Sequence, residues 1–295
     1  MCLWDLDTYL EERLDDAAVS ATLEGRFFKH SSFFYEQKIA YTTPLLAGPE
    51  ALPERFDDVA VAWDKLGQPD RALEIIEAKE ARFPGLYTSL ANRGTFLAHR
   101  GDLEAGLVDL REAVRINPDA HFGREHYQIS AIEALLRWRL DPSLPEREDL
   151  LGFSLPSIAH YLRTTQPVAA PPGRGPTHRH PFPPGVEEDV FEALVGIIRF
   201  GNGDRFGPVW FSLGLALGAA LGRHDRVVRA MRRAEILGHP LARSFGEIAA
   251  GNIPWAEAAA EADEDFAERQ REMAQKQAAE EERIRQGQLR EVFGY

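Results

Sequence analysis

The chain has very little of what disulfide-linked, metal-binding or membrane proteins are built from. Its 295 residues include a single cysteine, Cys2, so neither an internal disulfide nor a cysteine-rich metal site can form. No run of about 18 apolar residues occurs, so no membrane-spanning helix is expected. The first residues also lack the charged-then-apolar pattern of a signal peptide. As the chain stands, these absences predict a cytoplasmic protein.

Positive charge is scarce as well. Lysine and arginine number 34 against 47 aspartates and glutamates, which gives a formal net charge of −13. Proteins that bind nucleic acid or anionic lipid do so through Lys and Arg that neutralise phosphate. The charge balance therefore predicts that nucleic acid is not a partner.

Local catalytic motifs are absent too. The sequence contains no P-loop, no G-x-S-x-G elbow, no H-E-x-x-H helix and no recognisable Cys/His nucleophile pair. We therefore expect no enzymatic activity, no cofactor and no resident metal.

What the sequence does contain is a repeat. Residues 53–118 hold two copies of a helix–turn–helix unit separated by 34 residues. Gly67 and Gly101 mark the turns and suit the left-handed backbone that ends a helix. Small residues recur where paired helices would approach each other most closely. The equivalent positions are Ala60/Gly94, Ala72/Gly106, Ile76/Leu110 and Pro84/Pro118.

Apolar periodicity and prolines organise the rest of the chain. The predicted parts are N-terminal helices that form a capping hairpin (1–52), two repeats (53–122), capping helices (123–165), a Pro/Gly-rich linker (166–185), a second hairpin region (186–253) and a charged C-terminal helix (254–295). In the second hairpin region, a turn at Gly222 puts Gly214 at a close-packing position and Ala234 at the position of Ala113. We expect Ser31 or Ser32 to cap the helix that precedes Pro44.

Residues 53–122 resemble the tetratricopeptide repeat (TPR) family, most clearly in Ala113-Val114-Arg115-Ile116-Asn117-Pro118. The resemblance implies an all-α fold of TPR-like helical hairpin repeats, an α-solenoid, with capping helices, a Pro-rich linker and a long C-terminal helix. It also implies that a partner protein or peptide binds in the concave groove lined by the first helix of each repeat. The groove residues that follow from it are Asp57, Asp64, Thr88, Ala91, Thr95 and His99.

One TPR subclass grips C-terminal carboxylates with Lys and Asn on these first helices. The matching positions here are Asp57 and Val61 in repeat one, and Ala91 and Thr95 in repeat two. The carboxylate clamp is therefore absent, and binding of chaperone tails is not expected.

A looser resemblance concerns the start of the chain. Residues 2–7, 117–124 and 199–202 are similar to an uncharacterised bacterial TPR family whose members carry an export signal ahead of the Cys-Leu-Trp-Asp segment. This resemblance implies an alternative location, an exported envelope protein with Cys2 as a mature and lipidated N-terminus. It implies no activity.

Three segments rich in histidine or glycine are candidate metal-binding, catalytic or anion-binding sites. His178 and His180 provide two imidazoles, too few to close a zinc site. The segment 121–126, with His121 and His126, is better explained by capping and packing at a helix start. Residues 199–204 form a glycine turn that could bind an anion, but inter-helix turns use the same residues for their backbone freedom.

A second docking face is predicted on one helix, where Arg226, Arg229 and Arg233 are spaced i, i+3, i+7. These side chains either face solvent or dock an acidic segment such as the chain's own C-terminal tail.

Three functional hypotheses follow. The first is a scaffold that binds a protein or peptide in the concave groove. The second is a structural subunit whose groove is filled by its own Pro-rich strap or acidic tail. The third, much weaker, is a histidine-based metal protein or enzyme. The oligomeric state stays open.

Overall fold

The computed structural model describes residues 3, 5, 16–49, 51–119, 123–164, 189–222 and 224–294. These residues form helices joined by short turns and three 3₁₀ segments, and within the described ranges the only β pairing is a single bridge between Glu148 and Ser154. The predicted all-α fold of helical hairpin repeats is confirmed.

The helices are numbered here in chain order. They are α1 Asp16–Leu23, α2 Ser32–Thr42, α3 Pro53–Lys65, α4 Pro69–Arg82, α5 Tyr87–Arg100, α6 Leu103–Ile116, α7 Arg124–Leu140, α8 Leu155–Thr164, α9 Val190–Arg199, α10 Gly207–Leu221, α11 Asp225–Ile236, α12 Ala242–Ala250, α13 Trp255–Arg285 and α14 Leu289–Phe293.

The chain divides into two compact units. The first comprises residues 1–13, 28–129 and 271–295, and the second comprises 14–27 and 130–270. The division falls inside α7 and α13, because these long helices contribute residues to both units. The sequence instead predicted the division at 166–185, which lies outside the described residues.

In the first unit, the two repeats are the hairpins α3–α4 and α5–α6. Pro53 and Pro69 open α3 and α4, where a missing backbone N–H costs nothing. Gly67 and Gly101 have left-handed φ values of 74° and 104°, as the turn requires. The predicted positions of both turns are correct.

Small residues set the spacing within each hairpin. A Cβ added to Gly106 would stand 2.7 Å from the carbonyl oxygen of Gly94, and one added to Gly94 would stand 2.9 Å from the carbonyl oxygen of Gly106. Ala60 and Ala72, their equivalents in repeat one, are fully buried. The helices of repeat two therefore pack backbone to backbone, with no room for a methyl group.

The second unit is built around α10, whose apolar face extends all round the helix. Nearly every residue of this helix is buried, as expected for a central rather than a surface helix. Gly214 lies against Met231 of α11, and Ala234 is fully buried. The hairpin predicted around Gly222 is thus formed by α10 and α11.

The charged C-terminal helix predicted within 254–295 does not run to the end of that range. It ends at Arg285, since Gly287 adopts a left-handed φ of 82°, and a short helix α14 follows. Within the first unit, Phe293 and Ile284 pack against Phe34 of α2. Ser31 caps α2 by accepting a hydrogen bond from the Phe34 amide, as predicted. Of the region 1–52, the part before Asp16 is described only at residues 3 and 5.

A buried carboxyl group shapes the loop before α8. Asp149 accepts hydrogen bonds from the backbone amides of Leu151 and Phe153 at 3.0 and 2.7 Å. Burial raises the pKa of Asp149 to about 6, and the hydrogen bonds from the two backbone amides offset only part of that rise.

We expect Gly106→Ala to lower the free energy of unfolding by about 1–3 kcal/mol, because the new methyl group meets backbone that cannot move aside. Chemical denaturation measures the change. Ala105→Ser, on the exposed face of the same helix, should leave the unfolding midpoint within error. A Gly106→Ala protein as stable as the parent would show that the hairpin tolerates a wider spacing.

A second prediction concerns pH. Because its pKa is raised, folded Asp149 holds a proton that the unfolded chain has lost between about pH 4 and 6, so stability should fall as pH rises through this window. Between pH 4 and 7, the free energy of unfolding of Asp149→Asn should fall by about 3 kcal/mol less than that of the parent. Denaturation at a series of pH values measures the difference. Glu146→Gln, an exposed change on the same loop, should keep the parent slope. An unchanged slope in Asp149→Asn would contradict the assignment.

Candidate binding groove

The candidate groove is the face of α3 and α5 that carries the six residues predicted from the sequence. On α3, Asp57 and Asp64 are seven residues apart and share a helix face with Val61 between them. On α5, Thr88, Ala91, Thr95 and His99 share a face at spacings of three or four. The structure brings α3 and α5 side by side, and their side chains make direct contacts across the interface.

A buried lysine joins three helices beneath this face. The Lys79 ammonium group donates to both carboxylate oxygens of Asp57, at 2.7 and 2.6 Å, and to the Thr88 hydroxyl at 2.6 Å. Asn92 donates to the same carboxylate at 3.0 Å. All three ammonium donors are therefore used. Lys79 has no solvent exposure and occupies the repeat position that Ala113 fills in the second repeat.

This network is electrostatically demanding. Burial raises the pKa of Asp57 to about 6, and Lys79, Asn92 and Thr88 counteract part of that rise. Two charges out of water are tolerated only when both are fully paired. Burial of the Lys79 charge is therefore stable only while Asp57 is present, and the reverse holds for the Asp57 carboxylate.

A second polar pair joins the far ends of α3 and α5. The His99 Nδ1 atom lies 2.7 and 2.8 Å from the two carboxylate oxygens of Asp64, so this nitrogen donates to the carboxylate. The His99 side chain is 10% exposed, and its Nε2 atom is buried without a hydrogen-bond partner in the described structure. That nitrogen is a polar group with bonding capacity to spare at the groove.

The middle of the groove is closed by neighbouring residues. Ala91 and Thr95 have no solvent exposure, and the Thr95 hydroxyl accepts a hydrogen bond from Gln128 of α7 at 3.0 Å. Asp57 and Asp64 are also buried. Four of the six expected groove residues are therefore buried, and the other two, Thr88 and His99, are hydrogen-bonded to Lys79 and Asp64. Contact with a partner stays a prediction for all six.

Leu3 is a buried residue that the sequence analysis did not identify. It is fully buried, lies outside any helix, and belongs to the same apolar cluster as Ala60, Val61 and Phe96. Asp5 is nine-tenths buried. A residue that belongs to no helix carries no periodic signal of its burial.

The second predicted face, on α11, lies in the second unit and is covered by acidic helices. Arg226 pairs with Asp16 of α1 at 2.6 Å, and Arg229 pairs with Asp265 of α13 at 2.7 Å. The Arg233 guanidinium lies 3.8 Å from the Phe266 ring centroid. Of the two interpretations left open, these contacts match docking of the chain's own acidic tail.

Arg232, which the sequence analysis did not single out, strengthens this contact by pairing with Asp263 at 2.7 Å. A pocket of about 440 Å³ lies among α11, the end of α12 and α13. His224, Asp225, Arg229, Asn252 and Glu261 are among the residues that line the pocket.

The remaining candidates are the histidines and the glycine turn. His121, His178 and His180 lie outside the described residues. Within the turn 199–204, Gly203 is buried, and a Cβ there would stand 2.6 Å from the Ile197 carbonyl oxygen, so its glycine serves close packing. Over the described ranges, no group of three or more His, Cys, Asp or Glu side chains is arranged to hold a metal ion.

Comparison with known proteins adds little. No family model matches the chain, and no curated protein matches it. One solved structure, described as a MamA RS-1 ArsTM double mutant, is similar over 75% of this chain and 95% of its own, with 14% identity and a TM-score of 0.31. A likeness this loose carries no argument. In the described part of the chain, no helix has both the length and the apolar character needed to cross a membrane.

We expect Lys79→Met to lower the free energy of unfolding by about 3–5 kcal/mol, because it leaves the Asp57 carboxylate buried without a counter-charge. The double variant Asp57→Leu/Lys79→Met should recover most of this loss in the same denaturation experiment. Glu112→Gln, which breaks an exposed pair with Arg115, serves as the control and should leave the unfolding midpoint close to that of the parent. A Lys79→Met protein as stable as this control would show that the buried pair contributes nothing.

Proposed function

We propose that the chain is a TPR-like interaction scaffold that binds a partner protein or peptide on the concave face of α3 and α5. The observation that carries the proposal is the way this face is built. Asp57 is held by Lys79 and Asn92, and Asp64 is held by His99, so its polar groups are fixed in advance of binding. A preorganised surface loses less conformational freedom on association.

The His99 imidazole supports the same function. Its Nδ1–H is directed to Asp64, which makes Nε2 the hydrogen-bond acceptor in the neutral ring. Because Nε2 is buried, it does not reach a ligand in this conformation, and the contribution of His99 is to hold the Asp64 carboxylate in place.

The alternative function is a structural subunit whose groove is permanently filled from within. Burial of Leu3 in the cluster around Val61 favours it. The acidic tail, α13 and α14, contacts other helices: α2 in the first unit and α11 in the second. The Pro-rich strap lies outside the described residues.

Site-specific photocrosslinking separates the two functions. A benzophenone side chain would be placed at Glu54 or Lys65, which bracket the groove face of α3, and in control proteins at Val108 or Glu104 on the exposed side of α6. The scaffold function predicts one discrete adduct from native extract at the groove positions and none at the controls. Adducts only at the control positions, or none at all, would favour the permanently filled subunit.

A further inference from the structure

The second unit contains a pocket that neither of the two predicted binding faces explains. Its volume of about 440 Å³ is typical of natural ligand sites. The start of α11, the end of α12 with the loop that follows it, and the early turns of α13 enclose the pocket. All of these residues belong to the second unit, so the pocket shares no residue with the groove on α3 and α5.

Most of the pocket lining is apolar. Val228, Ala249 and Ala262 are buried, whereas Ile253, which also lines the pocket, is 53% exposed. An apolar side chain that enters such a pocket leaves water, and this transfer favours association. The pocket can therefore anchor one apolar side chain of a partner.

The charged groups at the pocket leave no positive charge to spare. Among the described lining residues, the one arginine is Arg229, and it is already paired with Asp225 at 3.1 Å and with Asp265 at 2.7 Å. Burial lowers the pKa of His224, and its Nδ1 atom accepts a hydrogen bond from the Arg226 amide, so this ring is neutral near pH 7. The C-terminal end of α12 adds partial negative charge. An acidic ligand is therefore disfavoured here.

A row of glutamates on α13 adjoins the pocket. Glu257, Glu261 and Glu264, here called the acidic stripe, are spaced i, i+4, i+7 and so lie on one face of the helix. All three are exposed, and Glu261 also lines the pocket. Within the described part of the chain, none of the three is paired with a cation or a hydrogen-bond donor. Like charges at this spacing repel each other, and a basic partner would relieve the repulsion.

We propose that the pocket and the acidic stripe form a docking surface for a basic segment of a partner protein, which inserts one apolar side chain into the pocket and places lysines or arginines along the stripe. Charge complementarity selects this occupant, because the stripe lacks a counter-charge among the described residues. This surface is independent of the groove on α3 and α5, and it adds a second point of contact to the proposed scaffold.

Fluorescence anisotropy of a labelled peptide tests the proposal. The peptide carries one leucine followed by four lysines separated by alanines, and it is titrated with the intact protein at low salt. Glu261→Gln/Glu264→Gln should weaken binding about fivefold, because two exposed ion pairs are lost. Glu74→Gln/Glu104→Gln, which removes two exposed charges from the first unit, should bind like the parent. The two variants have the same net charge, so a difference between them locates the binding.

A second pair of measurements tests the pocket. A peptide with alanine in place of the leucine should bind the parent about tenfold more weakly, because the apolar anchor is missing. Ala258→Leu, which places a larger side chain in the pocket lining, should weaken binding of the leucine peptide and leave binding of the alanine peptide unchanged. If circular dichroism shows that Ala258→Leu does not fold, Ile253→Ser, at a half-exposed position of the same lining, replaces it with the same expectation.

The proposal is overturned if the leucine peptide does not bind the parent, or if the two charge variants weaken its binding equally. Equal binding of the leucine and alanine peptides would show that the pocket takes no anchor, which also overturns it. Tight binding of leucine amide, with no contribution from the lysines, would identify a small-molecule pocket instead. None of these outcomes bears on the crosslinking result at the groove.

Discussion

An ammonium group without access to water holds the two repeats together. Lys79 extends from α4 to Asp57 on α3 and Thr88 on α5, and Asn92 completes the shell around the carboxylate. Removing either charge leaves the other buried without a counter-charge, which destabilises the fold. The relative positions of α3, α4 and α5 therefore depend on this one ion pair. This network holds the candidate groove face of α3 and α5 in one arrangement, because Asp57 and Thr88 belong to that face and are also partners of Lys79.

Directional polar contacts recur elsewhere on this face. Asp64 and His99 tie α3 to α5, and Gln128 ties Thr95 to α7. Apolar packing alone would allow the helices to slide along each other, whereas directional hydrogen bonds fix one register. These contacts therefore fix the positions of the polar side chains on α3 and α5.

The sequence predicts the framework of this fold well, for reasons that are local. Gly94 and Gly106 indicate a close approach of two helices, because only a residue without Cβ permits it. Gly67 and Gly101 indicate turns, because glycine readily adopts the left-handed backbone conformation. The site was harder to predict. Repeat position alone suggested that Asp57, Asp64, Ala91 and Thr95 face a partner, but the residues that bury or pair with them come from other helices.

Lys79 shows why such features escape sequence reasoning. A lysine in an amphipathic helix looks like a surface residue until its counter-charge is found 22 positions away. Pairs such as Arg226 with Asp16 span 210 residues and have no local signature. Leu3 was missed because it lies outside any helix, so no period marks it as buried.

The central claim is that Leu3 packs into the apolar cluster formed by residues of both repeats. Methyl-labelled NMR of the intact chain tests it directly, by nuclear Overhauser effects between the Leu3 and Val61 methyl groups. The account predicts these cross-peaks, together with Leu3 methyl shifts displaced by the nearby Phe96 ring. Leu3 methyl groups with the shifts of a free peptide and no cross-peak to α3 would contradict it.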